Sequence, residues 1–255
     1  MGTHIDRPLV SVIMPAYNAE KYIAEAISSV LSQSYTNWQL LILDDCSTDH
    51  TAEIAEDFEK ADTRIRVLRN PRNMGVAKTR NHGIDMAKGE WIALLDSDDR
   101  WHDDKLEKQL VVADSSDADI IYCSYALTDE SGEHLADYIV PETTDYNAML
   151  KECVIGCSTV LLHHSLLTCH HFSHSFYQED YVLWLELMKS GYKAMASREV
   201  LVDYRLVKGS RSRNKLISAK NRWIIYRNAE KLPLTKSIRA FTAYALRGMA
   251  KYRGL

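Results

Sequence analysis

Three carboxylates crowd into four positions at Asp96-Ser97-Asp98-Asp99, directly after the apolar run Trp91-Ile92-Ala93-Leu94-Leu95. The run is short and follows Lys88-Gly89-Glu90, which marks it as a buried strand. A bare carboxylate inside such a strand costs several kcal/mol or shifts its protonation. The acids therefore belong at the strand's carboxyl end, where open α/β sheets bind ligands. Three acids there repel one another unless a cation joins them. An all-oxygen ligand set suits a hard ion such as Mg2+ or Mn2+, and such an ion in a crevice of this kind usually holds a phosphorylated ligand. The competing reading is that Asp96 to Asp99 only cap a helix beginning near Asp103.

Two further strand ends carry polar groups. The run over 38–43 ends in Asp44-Asp45, and the run over 9–14 passes through Pro15 and Ala16 into Tyr17 and Asn18. In a parallel sheet the three ends open on one edge. That gathers an aromatic ring, an amide and five carboxylates around one crevice. A base or ribose can stack on Tyr17 and bond to a carboxylate while the metal holds phosphates. Capping by Asp44 or Asp45 is the alternative, but two adjacent acids exceed what capping needs.

The elements that must position these groups follow from periodicity. Asn18 is expected to cap a helix through about Gln33, with Tyr22, Ile23, Ala26, Ile27, Val30 and Leu31 on one face. Ser47, Thr48 and Asp49 supply a cap for a helix through about Lys60. A strand over 65–68, a turn at Asn73-Met74-Gly75 and a helix over 76–87 lead into the acid-tipped strand. Further along, a helix over 103–115 and strands over 120–125, 158–162 and 200–207 are expected. Ser131-Gly132 reads as a hairpin turn, 145–152 as a short helix, and 181–189 as a helix ended by Gly191. Strand–helix alternation of this kind predicts an α/β fold, a mostly parallel Rossmann-like sheet with helices on both faces.

Composition narrows the class. The 255 residues are 46% hydrophobic, enough for a full core, and no apolar run reaches the ~18 residues of a membrane span. The polar opening over 1–8 carries no signal peptide. Cys46, Cys123, Cys153, Cys157 and Cys169 are an odd set without zinc-site spacing, and read as reduced cytosolic thiols. His163, His164, His170, His171 and His174 fit no zinc motif and read as a polar loop near an acceptor entrance. Net charge is −4 but uneven. From Arg211 onward there are twelve Lys/Arg and one acid, Glu230. A basic tail on an acidic body, interleaved with Trp223, Tyr226, Phe241, Tyr244 and Tyr252, fits an interfacial segment on anionic membrane. An ordinary helix pair with a solvated basic face is the alternative. No nucleic-acid motif accompanies it.

Four stretches together resemble glycosyltransferase family 2. They are Val10-Ser11-Val12-Ile13-Met14-Pro15-Ala16-Tyr17-Asn18; Leu43-Asp44-Asp45-Cys46-Ser47-Thr48-Asp49; Asn73-Met74-Gly75 with Arg80-Asn81; and Asp96-Ser97-Asp98-Asp99. Each is weak alone, but their order is specific. Cys46 departs from the glycine common in the family, a small-residue swap at a turn with a modest expected effect. The resemblance implies a GT-A fold over 1–210, with a nucleotide-sugar half over about 1–100 and an acceptor half over about 101–210. A basic helical segment over 211–255 follows.

The resemblance also implies roles. Pro15, Ala16 and Tyr17, with Asn18, would line the nucleoside pocket. Asp45 would bond uracil and Asp44 would support it. Arg80 would face the nucleotide, unless it is a surface helix arginine. Asp96 opens a DxD-type motif that includes Ser97. Asp98 would contact ribose or metal, and Asp98 or Asp99 would ligate Mn2+ or Mg2+. Glu179-Asp180, before Tyr181-Val182-Leu183-Trp184, resembles the family's Glu-Asp signature. Asp180 would be the base, with Glu179 as fallback or acceptor ligand, unless both acids merely open a helix at its positive end. Arg205 or Lys208, in the stretch reaching Ser210 and Arg211, would touch the diphosphate. The activity implied is inverting, metal-dependent transfer from a UDP-sugar to a glycan or lipid-linked acceptor of bacterial surface polysaccharide, on the cytoplasmic side of the inner membrane.

Rivals fare worse. A nucleotidyltransferase usually has a glycine-rich loop where this chain has Pro15-Ala16-Tyr17-Asn18, and a dehydrogenase needs GxGxxG after a strand. A non-catalytic nucleotide-sugar-binding scaffold has no need to retain Asp98, Asp99 and Asp180.

Overall fold

Alternation along the first strand sets the layers. In the computed structural model, which describes residues 7–207 and 215–251, β1 (Val10–Ala16) is buried along its whole length. Val10, Val12 and Met14 enter one apolar cluster and Ile13 enters another, because successive side chains leave opposite faces of a strand. The chain continues through α1 (Ile23–Leu31), β2 (Trp38–Asp44), α2 (Thr51–Ala61), β3 (Ile65–Arg69), α3 (Val76–Met86) and β4 (Trp91–Leu94). Next come β5 (Arg100–Trp101), α4 (Lys105–Asp114), β6 (Ile120–Thr128), β7 (His134–Tyr138), β8 (Thr143–Thr144) and α5 (Tyr146–Lys151). The remainder is β9 (Leu161–His163), α6 (His164–Leu167), α7 (Glu179–Lys189), β10 (Ala194–Arg205), α8 (Lys215–Ile224) and α9 (Leu234–Lys251). A π-helical turn, Ile225–Ala229, extends α8. Helices α1, α2 and α4 close the first cluster, while α3, α5 and α7 close the second.

Among the described residues the sheet has ten strands, with main order β3-β2-β1-β4-β9-β6-β10-β5. Strands β3, β2, β1 and β4 are parallel neighbours, and β6 pairs parallel with β10. Between these halves β9 runs antiparallel to both β4 and β6. The expected mixed α/β architecture, mostly parallel with helices on both faces and a helical C-terminal segment, is what the chain adopts. Glycine is required where β4 enters the sheet: a Cβ on Gly89 would lie 2.6 Å from both the Leu9 carbonyl oxygen and the Ser11 nitrogen.

Local differences have physical causes. Helix α1 starts at Ile23, not at Asn18, because Asn18 takes a left-handed φ of 51° and turns its side chain toward the next loop. The strand expected over 158–162 is a 3-10 turn, Cys157–Thr159, followed by β9. Strand β10 begins at Ala194 and reaches Arg205 through register shifts between Ser197 and Val202, where the expected strand began at 200. The start of the histidine-rich stretch, His163 and His164, lies away from the acid-tipped strand end. Since β9 is antiparallel to β4, His163 pairs with Trp91 at the amino end of β4, opposite the acids, and His164 Nδ1 meets the Gly89 carbonyl at 2.8 Å. His170 instead bonds Glu186. Lys208, Ser210, Arg211 and Tyr252 lie outside the described residues. No described helix is long and apolar enough to cross a membrane.

One buried charge makes the fold sensitive to pH. Lys105 is fully buried in α4, donates to Gln109 Oε1 at 2.6 Å, and sits 4.0 Å from the Trp101 ring centre. Desolvation pushes its ammonium down to about 8. Between that value and the 10.5 of an ordinary lysine, the unfolded chain holds the proton and the folded chain does not. Stability at Lys105 therefore rises as pH rises through this window. Above about 9 the thiols of Cys123 and Cys157, both pushed up by burial, act in the opposite sense, so the test is differential: the urea stability of the parent minus that of Lys105→Met should rise through the window.

Candidate active site

The parallel register brings the predicted strand ends together. Ala16 pairs with Asp44 across β1 and β2, and Leu94 pairs with Ile13 across β4 and β1, so all three strands open on the same edge. Tyr17 is exposed there beside the buried Pro15 and Ala16. Asn18 accepts from the Thr48 amide at 2.8 Å and donates its own amide to Ser47 Oγ at 3.0 Å, which ties the first loop to the second.

The two acids of the second strand end do different work. Asp44 is buried and accepts from the Ser47 amide at 3.2 Å, a turn bond within its own loop. Asp45 accepts from Asn70 Nδ2, the Met74 amide and the Gly75 amide, each at 2.8 Å. Those bonds fold the Asn73-Met74-Gly75 turn over the loop. Neither acid caps α2; that bond comes from Asp49, which accepts from the Thr51 amide at 3.0 Å. Between them and the helix, Cys46 has φ 66°, in the left-handed region where glycine is unstrained.

Asp96 to Asp99 do not cap α4 either. Asp99 is buried, accepting from Ser158 Oγ at 2.5 Å and from the Arg205 amide at 3.0 Å. Burial, then the charges of Asp98 and Asp96, raise its carboxyl well above the usual range. Each of its two oxygens thus accepts one hydrogen bond inside the protein. Asp96 and Asp98 remain partly open with Ser97 between them. Desolvation, and then the neighbouring charge of Asp96, push Asp98 up to about 6. A divalent cation beside them would relieve that repulsion, and oxygen donors suit a hard metal, but among the described residues no three His, Cys, Asp or Glu side chains are gathered to hold one.

The Arg205 guanidinium is buried, with Nε on the Asp98 carbonyl at 3.0 Å, Nη1 on the Glu130 carbonyl at 3.0 Å and Nη2 on Glu25 at 2.6 Å. These three bonds brace the acid loop.

Arg80 is not a surface arginine. It is buried in α3, and its two terminal nitrogens reach Asp96 Oδ1 at 2.6 Å and Glu179 Oε1 at 2.8 Å. One side chain thus joins the third strand end to the Glu179-Asp180 pair that opens α7. Asp180 stays partly open, 3.9 Å from the Sγ of Cys157. Burial pushes that thiol well up, so it stands beside the carboxylate as a neutral S–H donor. Cys157, Ser158 and Asn70 are site-building residues that sequence reasoning missed. The polar run Cys157-Ser158-Thr159 before an apolar strand was the available signal.

Comparison with known proteins places this arrangement. A family model described as Glycosyl transferase family 2 matches residues 11–205. The Bacillus subtilis protein TuaG, assigned by name to teichuronic acid biosynthesis as a glycosyltransferase, is 40% identical over 96% of this chain and 98% of its own. Escherichia coli WfgD, named a UDP-Glc:alpha-D-GlcNAc-diphosphoundecaprenol beta-1,3-glucosyltransferase, is 38% identical over 91% of this chain and 90% of its own. Among solved structures, S. aureus TarS in complex with UDP-GlcNAc superposes with a TM-score of 0.69 at 21% identity, covering 94% of this chain and 72% of that one. The Pyrobaculum calidifontis mannosyltransferase in complex with GDP-Man and Mn2+ has a TM-score of 0.71 at 16% identity, covering 97% and 76%. At these identities the two structures speak for the fold.

Substitutions at two positions test the framework. Arg80→Met removes the buried cation shared by Glu179 and Asp96 and should cost about 3–5 kcal/mol of stability in urea unfolding; Arg80→Lys, lacking the fork, should recover only part. Cys46→Gly should stabilise by about 0.5–1 kcal/mol, the left-handed strain relieved minus the extra chain entropy of glycine. A loss of stability on that change would contradict the strain.

Proposed function

As a member of glycosyltransferase family 2, to which the match over residues 11–205 and its relatives assign it, this chain is a glycosyltransferase, and we propose that it moves a sugar from a UDP-sugar to an acceptor hydroxyl with inversion at the anomeric carbon. The acceptor is a glycan or lipid-linked glycan of bacterial surface polysaccharide, and the work is done at the inner membrane face. The observation that supports this reading is the Arg80 bridge, which joins the strand-end acid Asp96 to Glu179, the neighbour of Asp180. The relatives named for surface-polysaccharide synthesis, one of them for a UDP-Glc donor and a diphosphoundecaprenol acceptor, agree with it.

In this reading Tyr17 stacks the nucleoside beside Pro15 and Ala16. Three of the roughly four lone-pair sites of Asp45 are occupied, which leaves one for a nucleobase N–H. Asp98, with Asp96 beside it, would hold Mn2+ or Mg2+. A divalent ion there supplies Lewis-acid stabilisation of charge on the departing diphosphate. Asp180, open at the start of α7, accepts the proton of the acceptor hydroxyl, whose oxygen attacks the anomeric carbon from the face opposite the leaving group. The C–O bond to the diphosphate breaks as the new glycosidic bond forms. Glu179 stays paired with Arg80 and orients the helix start.

Calorimetric titration with UDP, GDP and CDP, each with and without Mn2+, tests the donor. Metal-dependent binding of UDP alone is expected; binding of GDP alone would move the donor to GDP-sugars, and no binding by folded protein would end the reading. With a competent donor, Asp180→Asn should lower transfer by about 10²–10⁴-fold while leaving UDP binding intact. Wild-type turnover by that variant would remove Asp180 from the role of base.

A further inference from the structure

The large apolar side chains that this protein leaves in water are concentrated at one end. Of the ten exposed large hydrophobic residues among those described, five lie on α8 and α9: Leu216, Ile217, Leu234, Ile238 and Leu246. Leu216 is 84% exposed, Leu234 56% and Leu246 58%. Burial defines the faces. Ser237 and Ala240 of α9 and Ser218 and Arg222 of α8 turn inward, while Leu234, Ile238 and Leu246 turn out. The two outer faces are continuous, because Trp223 of α8 meets Phe241 of α9 edge to face at 5.6 Å.

The charge on this hairpin is one-sided. Lys220, Lys231, Lys236 and Arg239 are exposed. The only acid from Arg211 onward, Glu230, is turned inward, where it accepts from Tyr146 Oη at 2.5 Å and Lys189 Nζ at 3.2 Å. The outer face therefore combines apolar side chains with uncompensated positive charge, on a body that is otherwise acidic. A second copy of the acidic body could answer the charge, but the other five exposed large hydrophobic residues, Tyr17, Met86, Val111, Leu135 and Ile139, are spread over several elements. An anionic bilayer answers both, taking the leucines and isoleucine at the headgroup–acyl boundary and the basic side chains at the phosphates.

We propose that the outer face of the α8–α9 hairpin is a docking surface for anionic lipid bilayer, along which α9 lies in the interfacial plane. The hairpin is held firmly enough to orient the enzyme. Arg222 of α8 stacks on Tyr181 of α7, 3.4 Å from its ring centre, with Tyr244 of α9 at 4.8 Å on the same guanidinium. Tyr181 directly follows Asp180, so a docked hairpin brings the start of α7 toward the membrane. This use of the surface rests on the proposed lipid-linked acceptor; the binding itself does not.

The test is co-sedimentation of the full chain, without donor or acceptor, with vesicles of phosphatidylglycerol and phosphatidylcholine or of phosphatidylcholine alone. Binding is expected only to the anionic vesicles and should weaken with added salt. Lys220→Gln with Arg239→Gln should lower the affinity about thirtyfold, at about 1 kcal/mol for each basic side chain near the surface. Leu234→Gln with Ile238→Gln should lower it about tenfold or more. Both double variants should keep the parent melting temperature and UDP titration, since all four side chains are exposed. Equal binding to neutral vesicles, no binding to either, or undiminished binding by the variants would overturn the proposal. So would a concentration-dependent dimer that Leu234→Gln with Ile238→Gln abolishes, which would give the face to a second copy. Vesicle binding and nucleotide binding are read separately, so failure of one is distinguishable from failure of the other.

Discussion

The guanidinium of Arg80 is the point on which the site turns. It is buried in α3, and it holds Asp96 and Glu179, two acids 83 residues apart in the chain, on adjacent nitrogens. Without a cation between them these carboxylates would repel each other and resist burial. Their pairing allows the end of β4 and the start of α7 to approach. The site thus consists of two acidic halves made compatible by one arginine, with the aromatic face of Phe172 5.3 Å from its charge.

A second lock sets the height of the acid loop. Because β9 runs antiparallel between β4 and β6, the turn before it, Cys157–Thr159, arrives at the carboxyl end of β4. Ser158 then donates to Asp99 and accepts from the Asp96 amide, and its carbonyl accepts from Trp101 Nε1. Arg205, arriving on β10, closes the other side with its amide on Asp99 and its side chain on the Asp98 carbonyl. Asp99 is thereby spent on structure, and the repulsion left in the loop is concentrated on Asp96 and Asp98. The strand that looks like an interruption of a parallel sheet is what makes the acid loop rigid.

The division of charge has a similar logic on a larger scale. The carboxyl edge of the sheet collects carboxylates, while the C-terminal hairpin excludes them and turns its single glutamate inward. Arg222, sandwiched between Tyr181 and Tyr244, couples the two regions without an ion pair to either. Stacking of a guanidinium on aromatic faces tolerates burial better than an isolated ammonium would.

How much of this was legible in the chain depends on the range of the interaction. Apolar runs ending in acids identify β1, β2 and β4 and the shared edge, because burial of a strand and exclusion of charge from it are local constraints. The ordered motifs identify the family for the same reason. Boundaries and partners were less visible. Asn18 looks like a helix cap but is drawn into a loop by Ser47 and Thr48, some thirty residues away. Arg80 carries no sequence mark that separates a surface helix residue from a buried bridge, since its partners lie 16 and 99 positions off. Asp98 and Asp99 are neighbours of the same type, and only the arrival of Ser158 and the Arg205 amide makes one a buried strut and leaves the other open. The sequence by itself determined which residue types reach the sheet edge. The tertiary structure decided which of those carboxylates are already satisfied, because a hydrogen bond closes only when strands from distant segments lie side by side.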